Sequence, residues 1–399
     1  MTEPPDTPAA PAPPGSTVAQ SFSEAFGSEP SGVWSAPGRV NLMGEHTDYN
    51  AGLCLPIALP HRTYAAVRLR GDRRLRLRSV QSSQPYDLDL DDVGPGNPPG
   101  WGAYAAGVLW SLQAAGHELR GVDLMVDGRV PVGAGLSSSA ALECAVAVAV
   151  SDLMDLGLLR DDSALATLAA ICVNAENTIA QAPTGGMDQS ASLRCQIGHA
   201  LLLDCRDGSI QHVPFDPPDQ GLSLLVMNTH AKHSLVDGQY ERRRASCEDA
   251  ALQLEVRSLR EVPITGLDQT LDQLSDQKIR ARARHVVTEI ERVRQTVALL
   301  RSGHLSEVGS VFNASHVSMR DDFEISCAEL DLAVDTARAH GALGARMTGG
   351  GFGGSAIALV PAERAAEVTS AVIHVFADKC FGRPDCFEVA AGGPARRES

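Results

Sequence analysis

Residues 131–141 read PVGAGLSSSAA, and they lie between a hydrophobic stretch, residues 122–130, and a long run of small and apolar residues, 138–156. This order predicts a strand, a glycine-rich turn and a helix that is buried on most sides. Gly133 and Gly135 let a ligand come close to the backbone, and the start of a helix favours bound phosphate oxygens. The stretch has neither the GK[ST] of a P-loop nor the third glycine of a dinucleotide fingerprint. A glycine-rich turn capped by serine is the alternative.

A second glycine cluster, residues 341–354, reads GALGARMTGGGFGG. Three consecutive glycines remove every side chain where a ligand or another backbone must come near. A flexible linker is the alternative, but residues 355–360, SAIALV, resume a strand pattern directly afterwards. We therefore predict that the cluster lies inside a domain and packs against residues 131–141.

Polar residues crowd into a third segment, residues 36–52, which reads APGRVNLMGEHTDYNAG. Each hydroxyl of a sugar both donates and accepts hydrogen bonds, and a closed site has to satisfy both roles. Carboxylates with an arginine and a histidine can do this, so the segment predicts a site for a polyhydroxylated ligand. A solvated loop is one alternative, and a metal site formed by Glu45, His46 and Asp48 is another. Three adjacent side chains rarely point at one ion, and Mg²⁺ prefers oxygen ligands.

Composition narrows the class of protein. The 399 residues, 44% of them hydrophobic, are enough for two packed domains. No apolar run reaches the ~18 to 20 residues that span a bilayer, and the first residues do not resemble a signal peptide. Because the nine cysteines also lack a CxxC pair, we expect reduced thiols and a cytoplasmic protein. The formal net charge of −15 disfavours binding to nucleic acid and to anionic membranes.

Strand-like apolar runs alternate with longer helical patterns along the chain, which predicts a mixed α+β fold. Residues 1–18 are rich in Pro, Ala and Thr, and we expect them to form a disordered tail. Three prolines interrupt regular structure within residues 214–220, PFDPPDQ. We therefore divide the remaining chain into an N-terminal domain, residues 19–215, and a C-terminal domain, residues 216–399.

Two further segments carry local predictions. Apolar residues at intervals of three and four predict a helix over residues 279–300, lying at the protein surface. Residues 67–78, VRLRGDRRLRLR, alternate arginine with Val or Leu on both sides of Gly71, which predicts a hairpin with one solvated face. A role in binding nucleic acid or phosphate is the alternative, but no aromatic residues are interleaved.

Together these segments resemble the galactokinases of the GHMP kinase superfamily, which carries three motifs in this order. The galactokinase signature is similar to GRVNLMGEHTDYN at residues 38–50, the second motif resembles PVGAGLSSSAA, and the third resembles ARMTGGGFGG at residues 345–354. Family-like sequence continues between them at residues 174–189, 227–244 and 313–331. The resemblance implies a two-domain GHMP kinase fold with the active site in the cleft between the domains.

The resemblance also implies that the protein uses Mg·ATP to phosphorylate the anomeric hydroxyl of galactose, the first committed step of galactose catabolism. Asp188 is similar to the family's catalytic base, with Arg39 beside it, and Ser139 and Glu176 would hold Mg²⁺. Galactose would be bound by Glu45, His46, Thr47, Asp48, Gly185 and Tyr240. The ATP phosphates would be bound by Gly133, Ala134, Gly135, Leu136, Ser137, Ser138 and Ser139. We expect a monomer whose partners are galactose and ATP, with no nucleic acid or membrane partner.

The chemistry of phosphoryl transfer agrees with these roles, because it needs positioning, neutralisation of charge and a carboxylate that receives the hydroxyl proton. An aspartate that faces an arginine stays ionised at neutral pH, as Asp188 would. Residues 185–192, GGMDQSAS, also resemble a helix start, which Asp188 could cap. Residues 101–104, WGAY, depart from the family, which usually shows Asn before the Tyr, so adenine recognition by this segment stays open.

Two other functions are open. One is a related GHMP kinase that acts on N-acetylgalactosamine, mevalonate or homoserine, although the full GEHTDYN segment argues against the substrates that are not sugars. The other is a non-catalytic sensor that binds galactose and ATP and regulates transcription through a partner protein. Such sensors lose residues in the serine-rich loop, whereas residues 137–141 are uninterrupted here.

Overall fold

This computed structural model describes residues 14–231 and 238–399, which form helices packed on β-sheets. The strands are β1 (Gly32–Asn41), β2 (Leu53–Cys54), β3 (Pro56–Leu69), β4 (Arg74–Ser79), β5 (Tyr86–Asp89), β6 (Val122–Gly128), β7 (His199–Asp204), β8 (Ser209–Pro214), β9 (Leu222–Asn228), β10 (Gly344–Thr348), β11 (Ser355–Pro361), β12 (Asp385–Val389) and β13 (Arg396–Arg397). The helices are α1 (Pro14–Phe26), α2 (Trp101–Ala114), α3 (Ser138–Leu153), α4 (Asp162–Thr178), α5 (Met187–Arg194), α6 (Gln239–Gln253), α7 (Leu267–Leu271), α8 (Gln277–Arg301), α9 (Val308–Asp321), α10 (Ala328–Ala339) and α11 (Ala365–Asp378). The α+β class predicted from the sequence is confirmed.

The strands form a six-stranded sheet in the order β13-β1-β3-β6-β4-β5, a four-stranded sheet in the order β10-β11-β9-β12 and a three-stranded sheet in the order β2-β7-β8. Alternate residues of β3 face opposite sides of the largest sheet, as the period of two in a strand requires. Ala65 and Val67 belong to the apolar core that contains α3, whereas Ala66 packs with α1. The buried helix predicted after the glycine-rich turn is therefore confirmed as α3.

The predicted disordered tail is too long at its C-terminal end. Its first 13 residues lie outside the described residues, but residues 14–18 belong to α1. Val18 and Phe22 lie one helical turn apart, and both are fully buried against β1, β3 and β6. The composition of residues 1–18 hid this apolar stripe, because its second half lies beyond the Pro-rich segment.

The hairpin predicted over residues 67–78 is wrong. Strand β6 lies between β3 and β4, pairing antiparallel with the first and parallel with the second. Arg68 of β3, Arg70 just after that strand and Arg76 of β4 converge on Asp123 of β6. Asp123 is fully buried and accepts from Arg70 Nη1 at 2.9 Å and Arg76 Nε at 2.6 Å. The basic pattern therefore supplies partners to a buried carboxylate, which a local period of two cannot show.

The second sheet begins at β9, just after the proline-rich segment at residues 214–220. The last strand, β13, does not belong to the second sheet. It lies in the six-stranded sheet, where it pairs with β1. Residues 396–397 thus depart from the C-terminal domain assigned to residues 216–399. Among the helices of residues 14–231 and 238–399, none combines the length and the hydropathy of a membrane-spanning segment.

The helix predicted over residues 279–300 is confirmed as α8, and one face of it is exposed at Arg294 and Gln295, but its charged residues do not all face outward as expected. Asp276 caps its start by accepting from the backbone N–H groups of Lys278 and Ile279. His285 and Glu289, which look like the polar face of a surface helix in the sequence, are both fully buried. Nε2 of His285 lies 3.2 Å from the carbonyl oxygen of Glu45, and Glu289 accepts from the N–H of Gly44.

Candidate active site

The predicted phosphate loop joins β6 to α3. Gly133, Gly135 and Ser137 have φ angles of 73°, 70° and 60°, a left-handed conformation that glycine adopts without strain. Ala134 and Leu136 bury their side chains in the core, which anchors the loop between its exposed turns. Helix α3 starts directly after the loop, so its free N–H groups are available for phosphate oxygens.

The second glycine cluster packs against this loop, as predicted. The hydroxyl of Ser355 donates to the carbonyl oxygen of Ala134 at 2.7 Å. A Cβ atom added to Gly349 would lie 2.8 Å from the carbonyl oxygen of Gly135, so a side chain at this position would collide with the loop. The glycines of the third motif therefore allow the backbone of the second half of the chain to support the phosphate loop.

Two cavities adjoin near the start of α3. The larger, with a volume of about 430 Å³, is mostly apolar, and its lining includes Trp101, Tyr104, Leu142, Ser138 and Ser139. The smaller, of about 160 Å³, is more polar, and its lining includes Arg39, Glu45, His46, Asp48, Glu176, Asp188 and Tyr240. The Ser139 side chain, beside the larger cavity, lies close to the carboxylate of Glu176, beside the smaller one. The two cavities thus lie on either side of this contact and differ in polarity.

Asp188 lies at the point where the smaller cavity meets the phosphate loop. Arg39 donates to its Oδ1 from Nε at 2.9 Å, and the hydroxyl of Ser137 donates to its Oδ2 at 2.5 Å. Arg39 also donates from Nη1 to the carbonyl oxygen of Gly135 at 2.6 Å, which ties the pair to the loop. Asp188 lies in the first turn of α5, but the cap position belongs to Gly186, so the capping alternative is wrong.

Glu45 and His46 already have several partners within the protein. Oε1 of Glu45 accepts from the N–H of Gly349 at 2.9 Å, and Oε2 accepts from Asn41 Nδ2 at 2.7 Å. His46 contacts the carbonyl oxygen of Gly350, which can only accept, so Nε2 of His46 carries the proton. Its Nδ1 then accepts from the hydroxyl of Tyr49 at 2.7 Å. Both side chains are thus held in one orientation at the wall of the cavity.

Thr47 does not reach the cavity, which corrects its predicted role as a substrate contact. Its side chain is fully buried, and its hydroxyl lies 2.9 Å from the carbonyl oxygen of Gly44 and 2.7 Å from that of Leu53. The single proton of a hydroxyl is satisfied by these acceptors. Thr47 therefore closes the turn of the motif, while its neighbour Asp48 points into the cavity.

Asp48 and Gly185 are brought together. A Cβ atom added to Gly185 would lie 2.1 Å from Oδ2 of Asp48, so glycine is required to leave room for the carboxylate. Tyr240, from the start of α6, closes another side of the cavity. Its ring centroid lies 5.2 Å from that of His46 and 5.5 Å from that of Tyr49. The structure thus gathers distant parts of the chain around one small space.

The cavity carries more negative than positive charge. Burial and the nearby Asp188 carboxylate together raise the pKa of Asp48 to about 6. Burial and the same Asp188 carboxylate also raise the pKa of Glu176 to about 7. Burial lowers the pKa of His46 to about 4, so this ring is neutral at physiological pH. Donors such as sugar hydroxyls, or a bound cation, would relieve the repulsion among these carboxylates.

The two predicted metal ligands, Ser139 and Glu176, lie next to each other at the start of α3. Their donors are hard oxygens, which Mg²⁺ prefers, and the surplus carboxylate charge is of the kind that a divalent cation offsets. In residues 14–231 and 238–399, no group of three or more His, Cys, Asp and Glu could hold a metal ion by itself. The residues fit Mg²⁺, which commonly takes one or two protein ligands with water and substrate phosphates.

Several residues near the site were not predicted from the sequence. Gln189 donates from Nε2 to Glu176 at 2.6 Å and to Glu143 at 3.0 Å, and burial raises the pKa of Glu143 well above its usual value. Glu143 had a signal, since it is a charge within a run of small and apolar residues, whereas the other charge of α3, Asp152, lies near the end of the helix. Arg346 and Glu289 are both fully buried behind Glu45. Neither had a sequence signal for this role: Arg346 lies in a family-like motif, and Glu289 lies in a helix whose apolar period is regular.

Comparison with known families agrees with this geometry. Residues 20–69 match the galactokinase galactose-binding signature, residues 103–196 the N-terminal domain of GHMP kinases, and residues 296–378 the C-terminal domain of GHMP kinases. The crystal structure of mevalonate kinase from Methanococcus jannaschii has a TM-score of 0.65 and 16% identity, covering 90% of this chain and 98% of its own, which shows a shared fold. The fold and the phosphate loop define a GHMP kinase.

Individual relatives narrow the class further. Galactokinase from Streptomyces coelicolor is 52% identical over 383 residues, covering 96% of this chain and 98% of the relative. Galactokinase from Chloroflexus aggregans is 40% identical over 368 residues, covering 91% of this chain and 92% of the relative. The crystal structure of Lactococcus lactis galactokinase complexed with galactose has a TM-score of 0.90 and 32% identity, covering 96% of this chain and 99% of its own. The chain belongs to the galactokinase family, and these matches lend no support to the sensor or to the N-acetylgalactosamine kinase.

Proposed function

We propose that this protein transfers the γ-phosphoryl group of Mg·ATP to the anomeric hydroxyl of galactose, with Asp188 as the group that receives the hydroxyl proton. The observation that carries the proposal is the position of Asp188. Its carboxylate lines the smaller cavity and is hydrogen-bonded to Ser137 of the phosphate loop. A sugar hydroxyl beside it would therefore face the phosphates across a short gap.

Galactose would bind in the smaller cavity. Asp48 supplies acceptors for sugar hydroxyls, and the pKa of about 6 leaves it ionised at neutral pH. Glu45, His46 and Tyr240 line the same space, and Gly185 leaves room for Asp48. Since a polar group left unpaired in a closed site is costly, this set would favour a ligand whose hydroxyls match all of its members.

ATP would bind across the phosphate loop, with its base in the larger cavity. Trp101 and Tyr104 give that cavity aromatic walls, which supports a base-binding role for the segment that departs from the family pattern. The N–H groups at the start of α3 favour the phosphates. Ser139 and Glu176 would hold Mg²⁺, which when bound neutralises phosphate charge.

Arg39 has two tasks in the proposed mechanism. Its guanidinium donates to Oδ1 of Asp188 from both Nε, at 2.9 Å, and Nη2, at 2.8 Å, which fixes the direction of the carboxylate. It is also tied to the phosphate loop through Gly135, so its positive charge lies close to where charge moves during transfer. When galactose binds, its hydroxyl would donate to Asp188 in competition with Ser137.

The experiment that tests the function is an assay of ADP release with galactose, N-acetylgalactosamine, glucose and mevalonate as acceptors. Galactose should give the highest kcat/KM, and the product should be acid-labile and non-reducing because its phosphate is on the anomeric oxygen. Phosphate on a primary hydroxyl would overturn the mechanism. A folded protein that binds galactose and ATP without forming product would instead favour a sensor.

We also propose that the protein acts in the cytoplasm as a monomer. All nine cysteines are free thiols, which suits a reducing compartment. Sedimentation analysis with and without galactose tests the monomer. A dimer that persists at nanomolar protein concentration would refute it.

A further inference from the structure

A fully buried arginine connects the third motif to the sugar motif. Arg346 lies in the middle of β10, and none of its surface is exposed. Its Nη1 donates to the carbonyl oxygen of Leu42 at 2.6 Å, and its Nη2 donates to Oε2 of Glu45 at 2.6 Å. One guanidinium therefore holds both the backbone and a side chain of the sugar motif.

The strand that carries Arg346 holds the same motif at further points. Immediately after β10, the N–H of Gly349 donates to Oε1 of Glu45 at 2.9 Å, and the carbonyl oxygen of Gly350 accepts from His46 at 3.1 Å. The hydroxyl oxygen of Thr348 lies 3.1 Å from Oε1 of Glu45 and 3.0 Å from the carbonyl oxygen of Asn41. Its one proton can turn to the Asn41 carbonyl, which frees a lone pair on Glu45 for a sugar hydroxyl.

Glu289 of α8 completes the arrangement from the other side. Its Oε1 accepts from the N–H of Gly44 at 3.1 Å, and it lies 3.4 Å from Nη2 of Arg346. Arg292 Nε donates to its Oε2 at 2.7 Å, and despite burial this charge, with that of Arg346, holds the pKa of Glu289 well below its usual range. An ionised Glu289 therefore stands opposite Arg346 and fixes the backbone next to Glu45.

We propose that Arg346 and Glu289 are positioning residues for galactose: they act through Glu45 and the Gly44 backbone, and they set the affinity for the sugar without setting that for ATP. The proposal rests on the proposed role of Glu45 in sugar binding. Neither residue lines the larger cavity, and neither touches the phosphate loop through the contacts described above. Galactose recognition thus depends on residues about 240 to 300 positions away from the sugar motif.

The test compares Arg346→Lys and Glu289→Gln with a matched control, Arg62→Lys. Lysine keeps the positive charge, but its single ammonium cannot reach Leu42 and Glu45 with the fork of a guanidinium. Glutamine keeps an oxygen for the Gly44 N–H and removes the charge that faces Arg346. Arg62 is also a buried arginine, but its bonds go to Ser35 and to backbone carbonyls near the C-terminus, away from the cavity.

Both test variants should raise the galactose KM, and the calorimetric Kd for galactose without ATP, about ten- to hundredfold, while the KM for ATP stays within about twofold. The Arg62 control should change neither constant. Equal changes in the two KM values, or the same galactose defect in the control, would mean a general structural role and would overturn the proposal. If Arg346→Lys fails to fold, Glu289→Gln decides the outcome by the same criterion.

A Glu45→Gln variant separates this proposal from the function on which it rests. If Glu45→Gln leaves the galactose KM unchanged, the sugar role of Glu45 is wrong. If it raises that KM while Arg346→Lys and Glu289→Gln do not, Glu45 binds sugar and the positioning proposal alone is wrong.

Discussion

Replacing Asp48 with asparagine should weaken galactose binding and yet stabilise the ligand-free protein. Asp48 is surrounded by protein and lies near Asp188, and these two causes raise its pKa from 3.8 to about 6. The folded protein therefore holds the Asp48 proton more tightly than the unfolded chain does. As the pH rises, the unfolded chain loses this proton first, so Asp48 lowers the free energy of unfolding progressively between about pH 4 and pH 6.

The size of the effect follows from the shift of about two pKa units. Asp48 costs about 3 kcal/mol of folding free energy at pH 8, where it is ionised in both states, and about 1.5 kcal/mol at pH 5, where most folded molecules keep the proton and most unfolded chains have lost it. Asparagine carries no charge at either pH and keeps the shape of the side chain. The free energy of unfolding of Asp48→Asn should thus exceed that of the wild type by up to these amounts, with the larger difference at pH 8.

Urea unfolding of the ligand-free proteins at pH 5 and pH 8 measures this difference, and Asp123→Asn is the matched control. Burial alone would raise the pKa of Asp123, but the guanidinium groups of Arg76, Arg68 and Arg70 hold it below its usual value. Neutralising Asp123 should therefore destabilise the protein. If Asp48→Asn is no more stable than the wild type at pH 8, or if its advantage shrinks as the pH rises, burial of charge is not the cause.

Three further predictions concern activity. Asp188→Asn should lower kcat about 10²- to 10⁴-fold, as loss of a general base does, while calorimetry still detects galactose and ATP binding; near wild-type turnover would contradict the proposed base. Glu176→Gln should raise the Mg²⁺ concentration that half-saturates turnover, with galactose binding retained; an unchanged Mg²⁺ dependence would remove Glu176 from the metal site. Asp48→Ala should raise the KM for galactose more than that for ATP, because the lost contact lies on the sugar side; equal effects would indicate a structural role for Asp48.

The candidate site shows why some residue roles could be predicted and others could not. Glu176 and Asp188 lie in residues 174–189 and Tyr240 lies in residues 227–244, and a resemblance to family motifs was enough to propose them together. The sugar motif does not predict which of two adjacent side chains faces the cavity. Thr47 and Asp48 are adjacent in sequence, but they face different surroundings. The Thr47 hydroxyl donates to a backbone carbonyl oxygen, whereas the Asp48 side chain lines the smaller cavity. That choice depends on the left-handed conformation of the residue before them, His46, with φ of 60°.

The sequence by itself determined the parts whose conformation is set locally. The phosphate loop and the start of α3 follow from glycines, serines and an apolar run within about 25 residues, because turn and helix preferences act over short distances. Only the tertiary structure decided that β6 separates β3 from β4, that β13 returns to the first sheet, and that Arg346 meets Glu45 across 301 positions. Strand order and buried ion pairs depend on which surfaces exclude water together, and no local pattern records that.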